Sequence, residues 1–119
     1  MKVVLNTYSS LAAAFLHQGI IRSLKDGNRI ESLTTWSYVK SKEQYDIIYH
    51  NPDQYVNEPD KNVIFRIYVD GSDVVFLPMW WMKNPRPTED MICLHVGRLV
   101  EMLMRYFSAE FKTCVIDKA

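Results

Sequence analysis

Three histidines, two cysteines and an adjacent pair of serines are the residues of this chain best suited to chemistry. Nucleophilic catalysis needs a thiol or hydroxyl within reach of a base. Cys93 and His95 stand two residues apart, and on a helix that spacing turns their side chains to nearly opposite sides. They cannot serve each other. Ser9 and Ser10 have no base close in sequence, and no nucleophile elbow or other catalytic signature occurs. We assign no catalytic residue and read the chain as a binding module ahead of an enzyme, with a small enzyme lacking any recognisable motif as the last of the alternatives.

Metal chemistry would need ligands at set spacings. His17, His50 and His95 lie far apart, and no H-E-x-x-H, C-x-x-C or EF-hand pattern is present. The stretch 51–61, rich in Pro, Asp and Asn, gathers Asp53, Glu58 and Asp60 near His50, a set that suits a hard cation. Such side chains more simply bond their own backbone in a turn-rich loop. We assign no metal and no cofactor. The four glycines form neither a GxGxxG nor a Walker pattern, so no phosphate cradle is indicated.

The remaining candidates are contact residues. Phe65-Arg66-Ile67-Tyr68, and Trp80-Trp81-Met82-Lys83 followed by Arg86, set aromatic rings beside cations, as single-strand binders do. However, Lys plus Arg and Asp plus Glu both number 14, so no net charge draws the protein towards phosphate or an anionic membrane. Single-stranded nucleic acid or a nucleotide is therefore the second choice of partner. Five of the six methionines fall between positions 79 and 104, interleaved with Trp80 and Trp81. Methionine adapts to irregular surfaces, and Trp and Arg anchor interfaces. These residues point to a non-catalytic, regulatory binding module such as an inhibitor, adaptor or assembly accessory. Its partner is expected to be another protein or, as a homodimer, a second copy of itself. The expected contact residues are Arg66, Tyr68, Met79, Trp81, Met82, Lys83 and Arg86. A second candidate is the loop with His50, Asp53, Glu58 and Asp60.

The elements that must hold these residues follow from periodicity. Residues 2–6 form a short β-rich run. Ala12, Phe15, Leu16, Gly19, Ile20, Ser23 and Leu24 recur at helical spacing, with His17, Gln18, Arg22 and Lys25 opposite. Ser9 or Ser10 supplies the cap, and Asp26-Gly27 the stop. Residues 30–39 and 45–50 read as strands around a turn at 40–44. Residues 63–69 and 73–80 form a hairpin about Asp70-Gly71 or Gly71-Ser72. Either turn puts Val63, Phe65, Ile67 and Val69 on one face with Val74, Phe76, Pro78 and Trp80. The other face then carries Ile64, Arg66, Tyr68, Val75, Leu77, Met79 and Trp81, which is too apolar for plain solvent exposure. Pro78 has no backbone donor, so its strand should be an edge there, or end.

A second helix should start at the Thr88 cap and run to about Phe107. Two apolar rows mark it: Ile92, Val96, Leu99, Leu103 and Phe107, and Cys93, Gly97, Val100 and Met104. This predicts the most buried element. Residues 111–116 close the chain as a short strand. The order β-α-β-β-β-β-α-β predicts an α+β fold, a mostly antiparallel sheet of five to six strands with two helices, forming one domain over 1–119. Either one helix covers each sheet face, or both lie on one face and leave the other to a partner.

Hydrophobic residues at 48% and charged residues at 24% are ordinary for a folded domain. Lys2, Val3-Val4-Leu5 and Ala12-Ala13-Ala14 faintly resemble a signal peptide, but the polar residues 6–10 interrupt the apolar run. No apolar run is long enough to span a bilayer. Two cysteines in apolar segments read as buried, reduced thiols, which favours the cytoplasm.

Overall fold

The structure is a computed structural model that describes residues 1–25, 33, 35–51, 63–81 and 85–118. Its elements are β1 (Lys2–Asn6), α1 (Ser10–Leu24), β2 (Trp36–Lys40), β3 (Asp46–His50), β4 (Ile64–Asp70), β5 (Asp73–Met79), α2 (Glu89–Tyr106), a 3-10 turn (Ser108–Glu110) and β6 (Thr113–Asp117). The six strands form one sheet in the order β2-β3-β4-β5-β1-β6, with every neighbouring pair antiparallel. The α+β class and the order of elements are those expected from the sequence.

The β4–β5 hairpin is set by local chemistry. Asp70 lies opposite Asp73, and Gly71 and Ser72 make the two-residue turn. Gly71 has φ +62, whereas Ser72 stays at negative φ. That is the type II′ pattern, in which the first central residue must tolerate positive φ. Pairing outward from the turn sets Ile67 opposite Phe76 and Phe65 opposite Pro78. Successive side chains alternate between faces. Phe65, Ile67, Val74 and Phe76 therefore point one way, joined by Val3 and Leu5 of β1, Trp36 of β2 and Ile48 of β3.

Both helices lie on this face. Ala13, Leu16, Ile20 and Leu24 of α1 and Ile92, Val96, Leu99, Met102 and Leu103 of α2 form one continuous core with it. Phe107 and Phe111 close the core beyond the end of α2. The caps are as the sequence implies: the Ser9 hydroxyl accepts from the Ala12 amide and the Thr88 hydroxyl from the Met91 amide. Asp26 and Gly27, the expected stop, lie outside the described residues; α1 ends at Leu24 with Lys25 as its C-cap.

Several expectations are corrected. Phe15 is 68% exposed, while His17 is buried beside Leu16 and Ile20. The apolar arc of α1 is wide enough to allow two orientations, and the contact of His17 with Asp46 fits the one observed. In α2 the row Ile92, Val96, Leu99, Leu103 and Phe107 is buried, but Cys93, Gly97 and Met104 face outward. A helix lying on one sheet face can bury only one of its two rows, so α2 is amphipathic in use. Cys93 is thus an exposed thiol and Cys114 a half-buried one, instead of two buried thiols. β2 begins at Trp36, with residues 30–32 and 34 outside the described set, and it includes Lys40. β6 spans Thr113–Asp117, leaving Phe111 as a core residue ahead of the strand.

Pro78 belongs to β5, an inner strand of the sheet, but at position 78 only β4 is paired with it, so the strand is an edge there as its missing donor implies. Thr7 donates its amide to the Ser72 carbonyl. Counting in steps of two, the backbone groups of positions 74, 76 and 78 also turn towards β1. The β1–β5 pairing stops at Val3↔Phe76, so at position 78 no β1 carbonyl awaits a donor.

Gly71 and Gly97 offer opposite tests of the backbone argument, since an added Cβ meets nothing within 4 Å at either position. Gly71→Ala should cost about 1 kcal/mol through its positive φ. Gly97→Ala, in a helix interior, should add about 0.5–1 kcal/mol. Urea denaturation midpoints of the two variants should move in opposite directions.

Candidate functional site

The sheet face turned away from the helices is built by the same alternation. Cross-strand pairs line up Val4 with Val75 and Val115, Tyr68 with Val75, Arg66 with Ile47 and Leu77, Ile64 with Met79, and Val39 with Ile47. Among the described residues no helix lies on this face. Ile47, Ile64 and Val75 are nevertheless only 1–2% exposed. By register their neighbours include Tyr49, Arg66, Tyr68 and Leu77. Those four, with Tyr45, Met79 and Trp81, are half-buried, while Val39 and Val115 are exposed.

Aromatic rings organise one half of the face. The Arg66 guanidinium lies 3.8 Å from the centre of the Tyr45 ring and 5.0 Å from that of Tyr68. Tyr49 and Trp81 meet edge to face at 6.3 Å and 77°. Between them opens a cavity of about 230 Å³ with Ile47, Ile64 and Met79 at its base and Tyr45, Trp80 and Trp81 around it. An apolar hollow walled by aromatic rings is suited to an inserted apolar or aromatic side chain.

Four of the expected contact residues, Arg66, Tyr68, Met79 and Trp81, are brought together on this face. Met82 and Lys83 lie outside the described residues. Arg86 is exposed in the segment before α2, with its guanidinium 5.4 Å from the Trp80 ring centre. Trp80 follows the last residue of β5 and lines the cavity, so it does not continue the core face as the extended hairpin implied. Asp53, Glu58 and Asp60 of the second candidate also lie outside the described residues. His50 is the final residue of β3, with its ring edge-on to Trp36 at 5.3 Å. It lines a separate polar cleft of about 100 Å³ with Arg98, Glu101 and Arg105. Sequence reasoning missed Tyr45, Ile47, Tyr49, Val4 and Val115. Their alternation was visible in the sequence, but the strands that would lie beside them were not.

A polar cluster ties α1 to the β2–β3 edge on the helix side. Tyr38 donates to Asp46 Oδ1 at 2.6 Å, Lys40 Nζ sits 3.5 Å from the same oxygen, and His17 Nε2 lies 3.5 Å from Oδ2. Burial, then the hydrogen bond and the charge of Asp46, push the Tyr38 phenol up to about 12. Tyr38 supplies the hydrogen bond to Asp46, and Lys40 and His17 approach it more loosely, so the cluster acts as a clamp between layers. Cys93 is exposed and His95 fully buried, so these two diverge as their spacing requires. Among the described residues, no three His, Cys, Asp or Glu side chains come together, and no helix is long and apolar enough to cross a membrane.

Comparison with protein-family models, curated proteins and solved structures finds no match for this chain.

The clamp has a pH signature. Tyr38 ionises at a higher pH folded than at its ordinary value of 10, so its contribution is complete below pH 10 and drains away as pH rises to about 12. The stability advantage of the wild type over Tyr38→Phe should be constant below pH 10 and shrink across that window. Denaturant titrations at several pH values measure it.

Proposed function

We propose that this chain is a non-catalytic binding module that docks the uncovered face of its sheet onto another protein. The observation that carries this reading is the placement of both helices on one side. Two layers bury the face of Phe65, Ile67, Val74 and Phe76 and leave Val4, Val39, Leu77, Met79 and Val115 without a helix among the described residues. An apolar row that runs across β4, β5, β1 and β6 through Tyr68, Val75, Val4 and Val115, beside the aromatic-walled cavity, is the kind of surface that marks a contact site.

The polar groups with catalytic potential support the same reading through the work they already do. Ser9 caps α1, and His17 and Tyr38 hold Asp46. Two free cysteines suit a reducing compartment such as the cytoplasm. A role as inhibitor, adaptor or assembly accessory fits a module whose work is occupancy. The stacking of Arg66 on Tyr45 and Tyr68 also favours a second reading, single-stranded nucleic acid. Its weakness is charge, because Lys2 and Arg66 share the face with Asp70, Asp73 and Asp117. Binding of a labelled single strand that weakens with salt would favour it over protein contact.

Leu77→Glu tests the main proposal. It places a charge in the middle of the uncovered face and spares the helix-covered core. Partner capture from native cells should fall about tenfold or more, with far-UV circular dichroism unchanged. Capture at the wild-type level by a folded Leu77→Glu protein would rule this face out as the docking surface.

A further inference from the structure

The sheet face turned away from the helices holds a cation and a carboxylate that have no counter-charge among the described residues. Arg66, half-buried between two tyrosine rings, makes no ion pair with any described residue. Asp70 has the same face, being four residues further along β4, and is exposed and likewise without an ion pair among the described residues. Four residues of strand span about 13 Å, too far for the two to meet within one subunit. A half-buried cation without an anion is costly, and the cost is removed when a carboxylate is supplied from outside.

Resting on the reading of this face as an interface, we propose that its occupant is a second copy of the same chain, packed sheet on sheet about a two-fold axis that crosses β4 above Tyr68. Such an axis lays β4 antiparallel over β4 of the second copy. Position 68 then meets position 68, and position 66 meets position 70. Arg66 of each copy therefore faces Asp70 of the other, and the pair occurs twice because a two-fold interface is self-complementary. Val4 and Val115 lie in the same row as Tyr68, with Val75 already buried between Tyr68 and Val4, and fall on their own counterparts, giving an apolar centre. Facing sheets pack about 10 Å apart, a gap that an extended arginine and an aspartate together can bridge. An axis two residues nearer Arg66 would set the two guanidinium groups against each other, so charge selects the register. The zero net charge of the chain leaves no long-range repulsion between copies.

Reciprocal charge exchange tests this, read by sedimentation over a range of concentrations and at two salt concentrations. The wild type should form a dimer that weakens with salt. Arg66→Glu and Asp70→Lys should each weaken it by about tenfold or more, since each sets like charges together twice, and the double variant should regain most of the loss. Asp70 is exposed, so Asp70→Lys remains informative if Arg66→Glu fails to fold by circular dichroism. A wild type that stays monomeric overturns the dimer; if Leu77→Glu still abolishes capture of another protein, the binding-module reading survives that result. A dimer indifferent to both exchanges overturns the proposed axis, and one indifferent to Leu77→Glu as well removes the face itself.

Discussion

Pairing of β4 with β5 in the register that sets Ile67 opposite Phe76 and Tyr68 opposite Val75 is the constraint from which the rest of the molecule follows. With a side-chain period of two, a slip by one residue would exchange the faces of a strand. Arg66 and Tyr68 would then turn towards α1 and α2, and Phe65 and Ile67 outward. Burying a guanidinium under two helices without a carboxylate is prohibitive, and so is exposing Phe65. The tight turn at Gly71 and the chemistry of the two faces enforce the same alignment. Because β1 reads its register from β5, and β6 from β1, the decision made at the hairpin spreads to both edges of the sheet.

Placing both helices on one face has a cost at the other surface of each helix. An α+β domain with one sheet and two helices has apolar area left over, and here it appears on several sides. The sheet face without a helix has Val39 and Val115 exposed and Leu77 and Met79 half-buried, and Leu11 and Phe15 of α1 and Leu94 and Met104 of α2 are also well exposed. Single exposed apolar residues on helices are common. The sheet face differs because its apolar positions adjoin across strands and surround Arg66, a cation without an ion pair among the described residues. Ile47 and Ile64 line the aromatic-walled cavity and are themselves buried.

The parts of this arrangement legible in the sequence are those decided locally. Gly71 and its neighbours announced the hairpin, and alternation along it separated Phe65 and Ile67 from Arg66 and Tyr68. Thr88 and Ser9 announced the helix starts. What could not be read was decided by distant pairing. Nothing in residues 2–6 says that β1 lies between β5 and β6, so Val4 and Val115 could not be joined to Tyr68 in advance. Nothing in residues 45–50 says that β3 lies beside β4, so Tyr45 and Ile47 were missed as partners of Arg66. The orientation of α1 was ambiguous for a different reason: Phe15 and Leu16 are adjacent and both apolar, and the orientation that buries Leu16 also buries Ile21 and sets His17 beside Asp46. In α2 both apolar rows were visible, but their unequal burial depended on the number of sheet faces that the helices cover.

Pro78 has a consequence for solubility. Where β1 stops, the outer margin of β5 would otherwise present a hydrogen-bond donor to any passing extended segment, at a place already crowded with Leu77, Met79 and two tryptophans. A template of that composition is what ordered aggregates grow from. The pyrrolidine ring removes the donor and leaves only a carbonyl there, so an incoming strand loses one hydrogen bond of the ladder. Addition of another chain in the plane of the sheet is disfavoured there, which leaves contact at this corner of the protein to side chains laid flat on the sheet.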